Sequence, residues 1–199
     1  MSTSKETAMT GAGADVPVFR LDNERLTFRF TATLSDRHGT PVERLPTAER
    51  LDAWLRANGL QMSGAGATEQ DHQVALSLRE AIHRAGTAVA QGTAIAVDDL
   101  AIVIAAAREH VAFPELVPAG LRWIPSDGET VRSALGLVAR DAIVVLGGED
   151  RPRVKTCQNP DCRGLYVDTS QAGSRRWCSM NVCGNRAKKA KFRHGRTSL

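Results

Sequence analysis

The chain has 199 residues, a formal net charge of +4 and a hydrophobic share of 42%. That suits one domain with a real core plus a small appendage, and it excludes collagen-like, wholly disordered and very large multidomain proteins. With only three Trp, one Tyr and five Phe, the core must come mainly from Ala, Leu, Val and Ile on helices, which argues against an all-β fold.

Residues 1–17, rich in Ser, Thr, Gly and Ala, predict a disordered tail. Apolar and polar side chains alternate over residues 26–34, the period-two mark of a half-buried strand. Residues 36–43, with His38-Gly39 and Pro41, form a turn region. Leu51, Trp54 and Leu55 then mark a short amphipathic helix over 45–58, ended by Gly59. After a glycine-rich link over 59–67, Thr68 caps a long helix to about Gln91, with Val74, Leu78, Ala81, Ile82, Ala85 and Val89 on one stripe and Gly92 as its stop. Asp98 offers the next cap, and the apolar run 100–108 reads as a buried helix. Residues 112–118 and 121–125 are proline-bounded extended pieces, able to pair with each other or with the strand over 26–34. A core helix starts at Asp127 or Thr130 and runs through Leu146 to Gly147-Gly148.

The charge divides at this point. From residue 151 onward eight Arg and four Lys face only Asp161 and Asp168, so this stretch carries +10 and the remainder −6. Such a split often marks a polyanion partner. The expected organisation is α+β: a mainly helical N-terminal domain over 18–150, with a small sheet or hairpin, and a small basic module over 151–199. The first 25 residues lack an apolar run of signal-peptide length. The longest apolar run, 100–107, has eight residues against the roughly 20 a membrane-spanning helix needs. A cytoplasmic location without a membrane partner is expected.

All four cysteines lie in the basic module, at Cys157, Cys162, Cys178 and Cys183. Two pairs with four intervening residues each, fifteen apart, have the arithmetic of a four-thiolate zinc site. Two disulfides or free thiols are the alternatives, but a chain without an export signal and with a large apolar body has little need of disulfide staples. Asn159-Pro160-Asp161 is turn chemistry, and Gly164 lets the chain leave the knuckle without a Cβ clash. Ser179 is a natural N-cap, which places Cys178 and Cys183 where a hydrophobic staple usually joins residues before and after a cap. A shared metal would replace that staple and anchor a helix over 180–194, with residues 165–167 forming a hairpin with residues near Arg176, a treble-clef arrangement. Four protein ligands leave no open position, so the one zinc ion would be structural. No phosphate loop, nucleophile elbow or metalloprotease helix is present, and no enzymatic activity is expected.

The residues from Cys157 to Cys162, Leu165-Tyr166-Val167-Asp168, Ser174-Arg175-Arg176-Trp177-Cys178-Ser179-Met180 and Cys183-Gly184-Asn185-Arg186 resemble the bacterial CGNR zinc finger. The upstream part is similar to the ABATE domain that such fingers follow, through residues 33–34, the helix around Leu51–Leu55 and Leu78-Arg79-Glu80. The resemblance implies a stress-linked transcriptional regulator whose finger binds DNA.

On the anchored helix Asn185, Lys188, Lys189 and Arg193 share a broad polar face, flanked by Arg186 and Lys191. This face could lie on phosphates or reach base edges; the alternative is a solvated helix whose late cations complement its dipole. Arg175 and Arg176 either clamp phosphate or pair with Asp168, and Trp177 either stacks on a base or forms the module's core. DNA is the expected partner, with RNA or an acidic protein as the alternative. The N-terminal domain is the expected place for self-association or a small-molecule effector. His38, His72, His83 and His110 have no paired ligand spacing.

Overall fold

The computed structural model describes residues 18–190. The expected tail over 1–17 and the residues from Lys191 onward lie outside them. Five helices make the body: α1 (Leu26–Thr31), α2 (Ala48–Ala57), α3 (Glu69–Gln91), α4 (Val97–Glu109) and α5 (Thr130–Gly147). Three antiparallel two-stranded sheets accompany them: β1 (Leu34–Ser35) with β2 (Val42–Glu43), β3 (Ala112–Val117) with β4 (Gly120–Pro125), and β5 (Val154–Thr156) with β6 (Leu165–Val167). A last helix, α6, begins with a widened turn, Met180–Gly184, and continues regularly through 185–190.

The long helices start and stop where their local chemistry directs. At α3, Asp71 N donates to Thr68 Oγ1 (3.1 Å) and Thr68 N donates to Asp71 Oδ2 (3.0 Å), a reciprocal cap. The helix ends at Gly92 in the left-handed conformation, φ 69°. Its inward stripe, with Leu78 and Ile82 fully buried, meets Leu51, Trp54, Leu135 and Val138 in the main core.

Two expectations change. Residues 26–34 are mostly helix, not strand: α1 covers Leu26–Thr31 and buries Thr27, Phe28, Phe30 and Thr31, a helical and not an alternating set. Its two phenylalanines enter different cores, Phe30 the main one and Phe28 a second one. Asp141 of α5 accepts from Thr27 N at 2.7 Å, satisfying a first-turn donor that no local side chain caps. Burial raises the Asp141 carboxyl above its ordinary range, partly offset by that bond. Tertiary packing thus overrides the local alternation.

The second change concerns α4, which is not buried all round. Val103 and Ala107 face inward, whereas Leu100 and Ile104 are exposed. It starts after Ala96 without a side-chain cap; Asp98 and Asp99 sit in its first turn, and Asp99 receives the Arg84 guanidinium at 2.6–3.2 Å.

Leu78-Arg79-Glu80 sits mid-helix in α3 and builds an ion network. The Arg79 guanidinium, 4% exposed, donates to both oxygens of Glu43 (2.7 and 2.8 Å) and to Glu80, which also receives Arg37. These bonds tie β2 to α3.

Candidate metal centre and the basic face it carries

The finger begins where α5 ends. Sheet β5–β6 pairs Val154 with Val167, Lys155 with Tyr166 and Thr156 with Leu165. The expected partner of residues 165–167 was the stretch near Arg176; the partner is β5, and the 175–176 stretch instead closes the sheet's end. Gln158 N donates to Arg176 O (2.9 Å) and Tyr166 Oη to Arg175 O (2.6 Å).

The knuckle after β5 carries Cys157 and Cys162. Cys157 N donates to Gly164 O (2.8 Å), and Asp161 N and Cys162 N turn back on Asn159, at 3.0 and 3.1 Å. The left-handed residue here is Arg163, φ 49°, and not Gly164. Gly164 supplies room, because a Cβ on it would lie 3.4 Å from the sulfurs of both Cys162 and Cys178. At α6 the expected cap forms, with Ser179 Oγ accepting from Val182 N (3.2 Å). Both Cys183 N and Gly184 N donate to Ser179 O at 3.0 Å, which widens the first turn.

These loops bring the four sulfur atoms within 4.8 Å of one another. Cys178 Sγ is 3.6 Å from Cys162 Sγ and 3.8 Å from Cys183 Sγ. Four thiolates around one zinc at about 2.3 Å stand about 3.8 Å apart at the corners of a tetrahedron, so a cluster of this size suits the ion. The spacings do not fit disulfides, and all four cysteines are free. Thiol–thiol hydrogen bonds, that with Cys157 foremost, hold Cys162 below the ordinary thiol range and push Cys178 and Cys183 above it. So dense a set ionises fully only around a cation.

Asp168 organises the rest of the finger. It accepts from Lys155 Nζ (2.6 Å), Ser170 N (3.1 Å), Ser170 Oγ (2.5 Å) and Arg175 N (3.1 Å), with Lys155 the first cause of a carboxyl held far below its usual range. The arginine pairing considered for Asp168 is therefore a backbone contact. The Arg175 guanidinium turns inward, donating to Trp177 O (2.9 Å) and Cys178 O (2.7 Å) and lying 4.7 Å over the Tyr166 ring. Trp177 packs on the cysteine cluster.

Arg186 also has a partner within the chain. It grips Asp36 of the body through two bonds, 2.7 and 3.1 Å, and Arg20 reaches the same carboxylate at 3.5 Å. Around it the body holds the finger along a strap. Ser179 Oγ donates to Asp22 (2.5 Å), Asn23 Nδ2 to Leu165 O (3.0 Å), Thr169 Oγ1 to Glu24 (2.9 Å) and His38 N to Asp161 O (3.0 Å). Beneath the strap, Val154, Leu165 and Val167 share the second core with Phe28, Ala85, Val145 and Leu146. Gly86 of α3 has no room for a side chain, since a Cβ there would sit 2.5 Å from Leu165 Cδ1.

Residues 24–149 match the profile of the ABATE family, described as "Putative stress-induced transcription regulator", and residues 153–196 match that of the CGNR zinc finger. The chain belongs to the ABATE family. Among curated proteins, none matches it significantly. The ABATE body is thus the acidic helical part, and the CGNR motif itself is Cys183-Gly184-Asn185-Arg186, of which Cys183 joins the cysteine cluster and Arg186 faces the body.

Other cations of the CGNR finger stay outward among the described residues. Arg176 rests over the Trp177 ring at 5.3 Å and donates to Gln158 (2.5 Å). Arg163, Lys188 and Lys189 are exposed, and Asn185, also exposed, donates to Asn181 O (2.9 Å). Among the described residues the finger's ion pairs use Lys155, Arg175 and Arg186, and Arg163, Lys188 and Lys189 enter none of them. Lys191 and Arg193 lie outside the described residues. A shallow groove joins Lys155, Gln158, Arg163, Tyr166 and Arg176. Arg163 and Lys155 count in the sequence only as charge, and the one hint of a role is their place next to Cys162 and two residues before Cys157. No helix among the described residues is long and apolar enough to cross a membrane.

Proposed function

We propose that this protein is a cytoplasmic DNA-binding transcriptional regulator in which one structural zinc ion, held in a treble-clef-like finger, presents a row of cations to phosphate. The observation that carries the reading is the exposure of Lys188 and Lys189, with no acidic partner among the described residues, on a helix whose first turn holds Cys183 and whose N-cap directly follows Cys178. Arg163 and Arg176 extend the cationic surface from the knuckle side, and Asn185 is the side chain best placed to reach a base edge. In the sequence, Arg193 continues the same spacing and Lys191 flanks it. Arg175 and Arg186 serve to hold the finger's shape and its seat on the body.

Binding of the zinc-loaded full chain to fluorescent duplex DNA and to RNA, across a salt series, tests this. Steeply salt-sensitive binding with a duplex preference is expected. Replacing both Lys188 and Lys189 by Glu should abolish it while zinc content stays at one per chain, and replacing both by Ala should lower the salt slope by about 2. Undiminished binding in the Glu variant removes this face from the reading, and an RNA preference or no binding at low salt overturns the DNA assignment.

A further inference from the structure

The β3–β4 hairpin is an arm with no backing at its tip. Its base is tied down by Ala112, which is buried, and by Trp123, which packs on the main core. Beyond that, Leu116 is 90% exposed, Leu121 63% and Phe113 58%. Cross-strand neighbours share a face, so Leu116 and Leu121 form an apolar pair on one side and Phe113 and Ile124 another on the other. A lone two-stranded ribbon with apolar side chains on both faces is marginal in water and gains from a third strand.

The two edges of the arm are not equivalent. Ser126 N donates to Val111 O (2.8 Å), which sets the phase of the ladder. Residues 113, 115 and 117 then bond to 124, 122 and 120, while the backbone groups of 112, 114 and 116 on β3, and of 121, 123 and 125 on β4, point outward. On β3 the middle outward position is Pro114, which has no N–H, so that edge is blocked. On β4 the outward N–H groups of Leu121 and Trp123 are intact, and the first proline comes only at Pro125.

We propose that the β4 edge is the docking edge for a second copy of this chain, pairing antiparallel with the β4 of that copy about a twofold axis to form a four-stranded sheet. Such a contact is self-complementary, the same donors and acceptors serving both copies. Charge favours this place over the rest of the body. Residues 1–150 carry −6, but the arm over 112–125 holds one Glu and one Arg, and these two, Glu115 and Arg122, neutralise each other across the strands. Location favours it too. The arm joins the start of α5, whereas Val145 and Leu146 at the other end of α5 support the finger. Eighteen helical residues separate the two by about 27 Å, so pairing at the arm leaves both basic faces open. An arm about 20 Å long is too small for the roughly 800 Å² per partner of a standard interface, so the dimer is reversible and concentration-dependent.

Sedimentation of the zinc-loaded full chain from low to high micromolar concentration tests the proposal, alongside hydrogen exchange at single amides. The wild type should shift from monomer to dimer, and the Leu121 and Trp123 amides, which face solvent in the monomer, should exchange more slowly as concentration rises. Leu121→Pro puts on β4 what Pro114 puts on β3 and removes no bond within the hairpin; it should weaken association by at least about tenfold. Leu121→Lys, which leaves the backbone donor in place, guards against misfolding of the proline variant and should also weaken it. A chain that stays monomeric throughout, a dimer that leaves those two amides unprotected, or a Leu121→Lys variant that dimerises like the wild type would each overturn the proposal.

Discussion

The helical body encloses Phe30, Trp54, Leu78, Ile82, Leu135 and Val138 in a continuous hydrocarbon core, whereas the finger's own interior is three buried cysteines with Trp177 and Val182 around them. The apolar side chains of the finger's sheet do not face that interior. Val154, Leu165 and Val167 are buried against the body, each worth roughly 1.5–3 kcal/mol at most. The cysteine cluster therefore centres the finger, and the body supplies the hydrophobic burial that a segment of this size lacks. From the sequence, loss of zinc is expected to unfold the basic end alone. The shared core predicts a wider effect.

The strongest way to break this division is Cys178→Ser. It removes one thiolate of the proposed zinc site, and a structural zinc ion contributes on the order of 10 kcal/mol to folding. Metal analysis should find zinc lost, and near-ultraviolet circular dichroism should lose the Trp177 signal. Helix content of the body should persist, but at a lower melting temperature and with dye-binding apolar surface exposed where Leu165 and Val167 were. A body that melts as in the wild type would show that the finger is autonomous after all.

Gly86→Val tests the same seam from the body's side. The added methyls meet Leu165, and overpacking of this kind costs about 1–3 kcal/mol. Denaturant unfolding should show that loss while zinc stays bound; unchanged stability would mean that the finger does not press on α3.

His83, on α3 beside the knuckle, gives a pH handle. Burial, reinforced by Arg37, lowers its pKa from 6.5 to about 4. Between those values the unfolded chain binds a proton that the native chain does not. The contribution is therefore complete above pH 6.5 and is lost as pH falls toward 4, at no more than about 1.4 kcal/mol per pH unit. Thermal melts of His83→Gln from pH 7 to pH 5 should be flatter than those of the wild type; parallel curves would sink the assignment.

The smallest expected effect is that of Asp36→Asn. Arg186 is half-exposed and asparagine keeps an oxygen that can accept from Arg186 and Arg20, so the loss of the charge alone should cost about 1 kcal/mol. Freed from that partner, Arg186 becomes available to phosphate, and DNA affinity should rise by a few-fold at low salt. A fall in affinity would instead show that the seat on the body orients the finger for binding.

Much of this was legible in the residues themselves. The gathering of the four cysteines follows from spacing and the caps at Thr68 and Ser179 from short-range hydrogen bonding, while the pairing of β3 with β4 was one of two that the proline-bounded segments allowed. What could not be read locally was the direction of side chains whose partners are distant in sequence. Asp36 lies 150 positions from Arg186, and Asp141 lies 114 from Thr27.

The sequence by itself thus determined the four-cysteine set of a zinc finger, the long helices and the excess of positive charge, because each depends on neighbours within a few residues or on composition. Only the tertiary structure decided that α1 is a helix, that Arg175 and Arg186 serve the fold while Lys188 and Lys189 face outward, and that finger and body share a core. Those outcomes rest on burial and ion pairing between segments that meet only once the chain has folded.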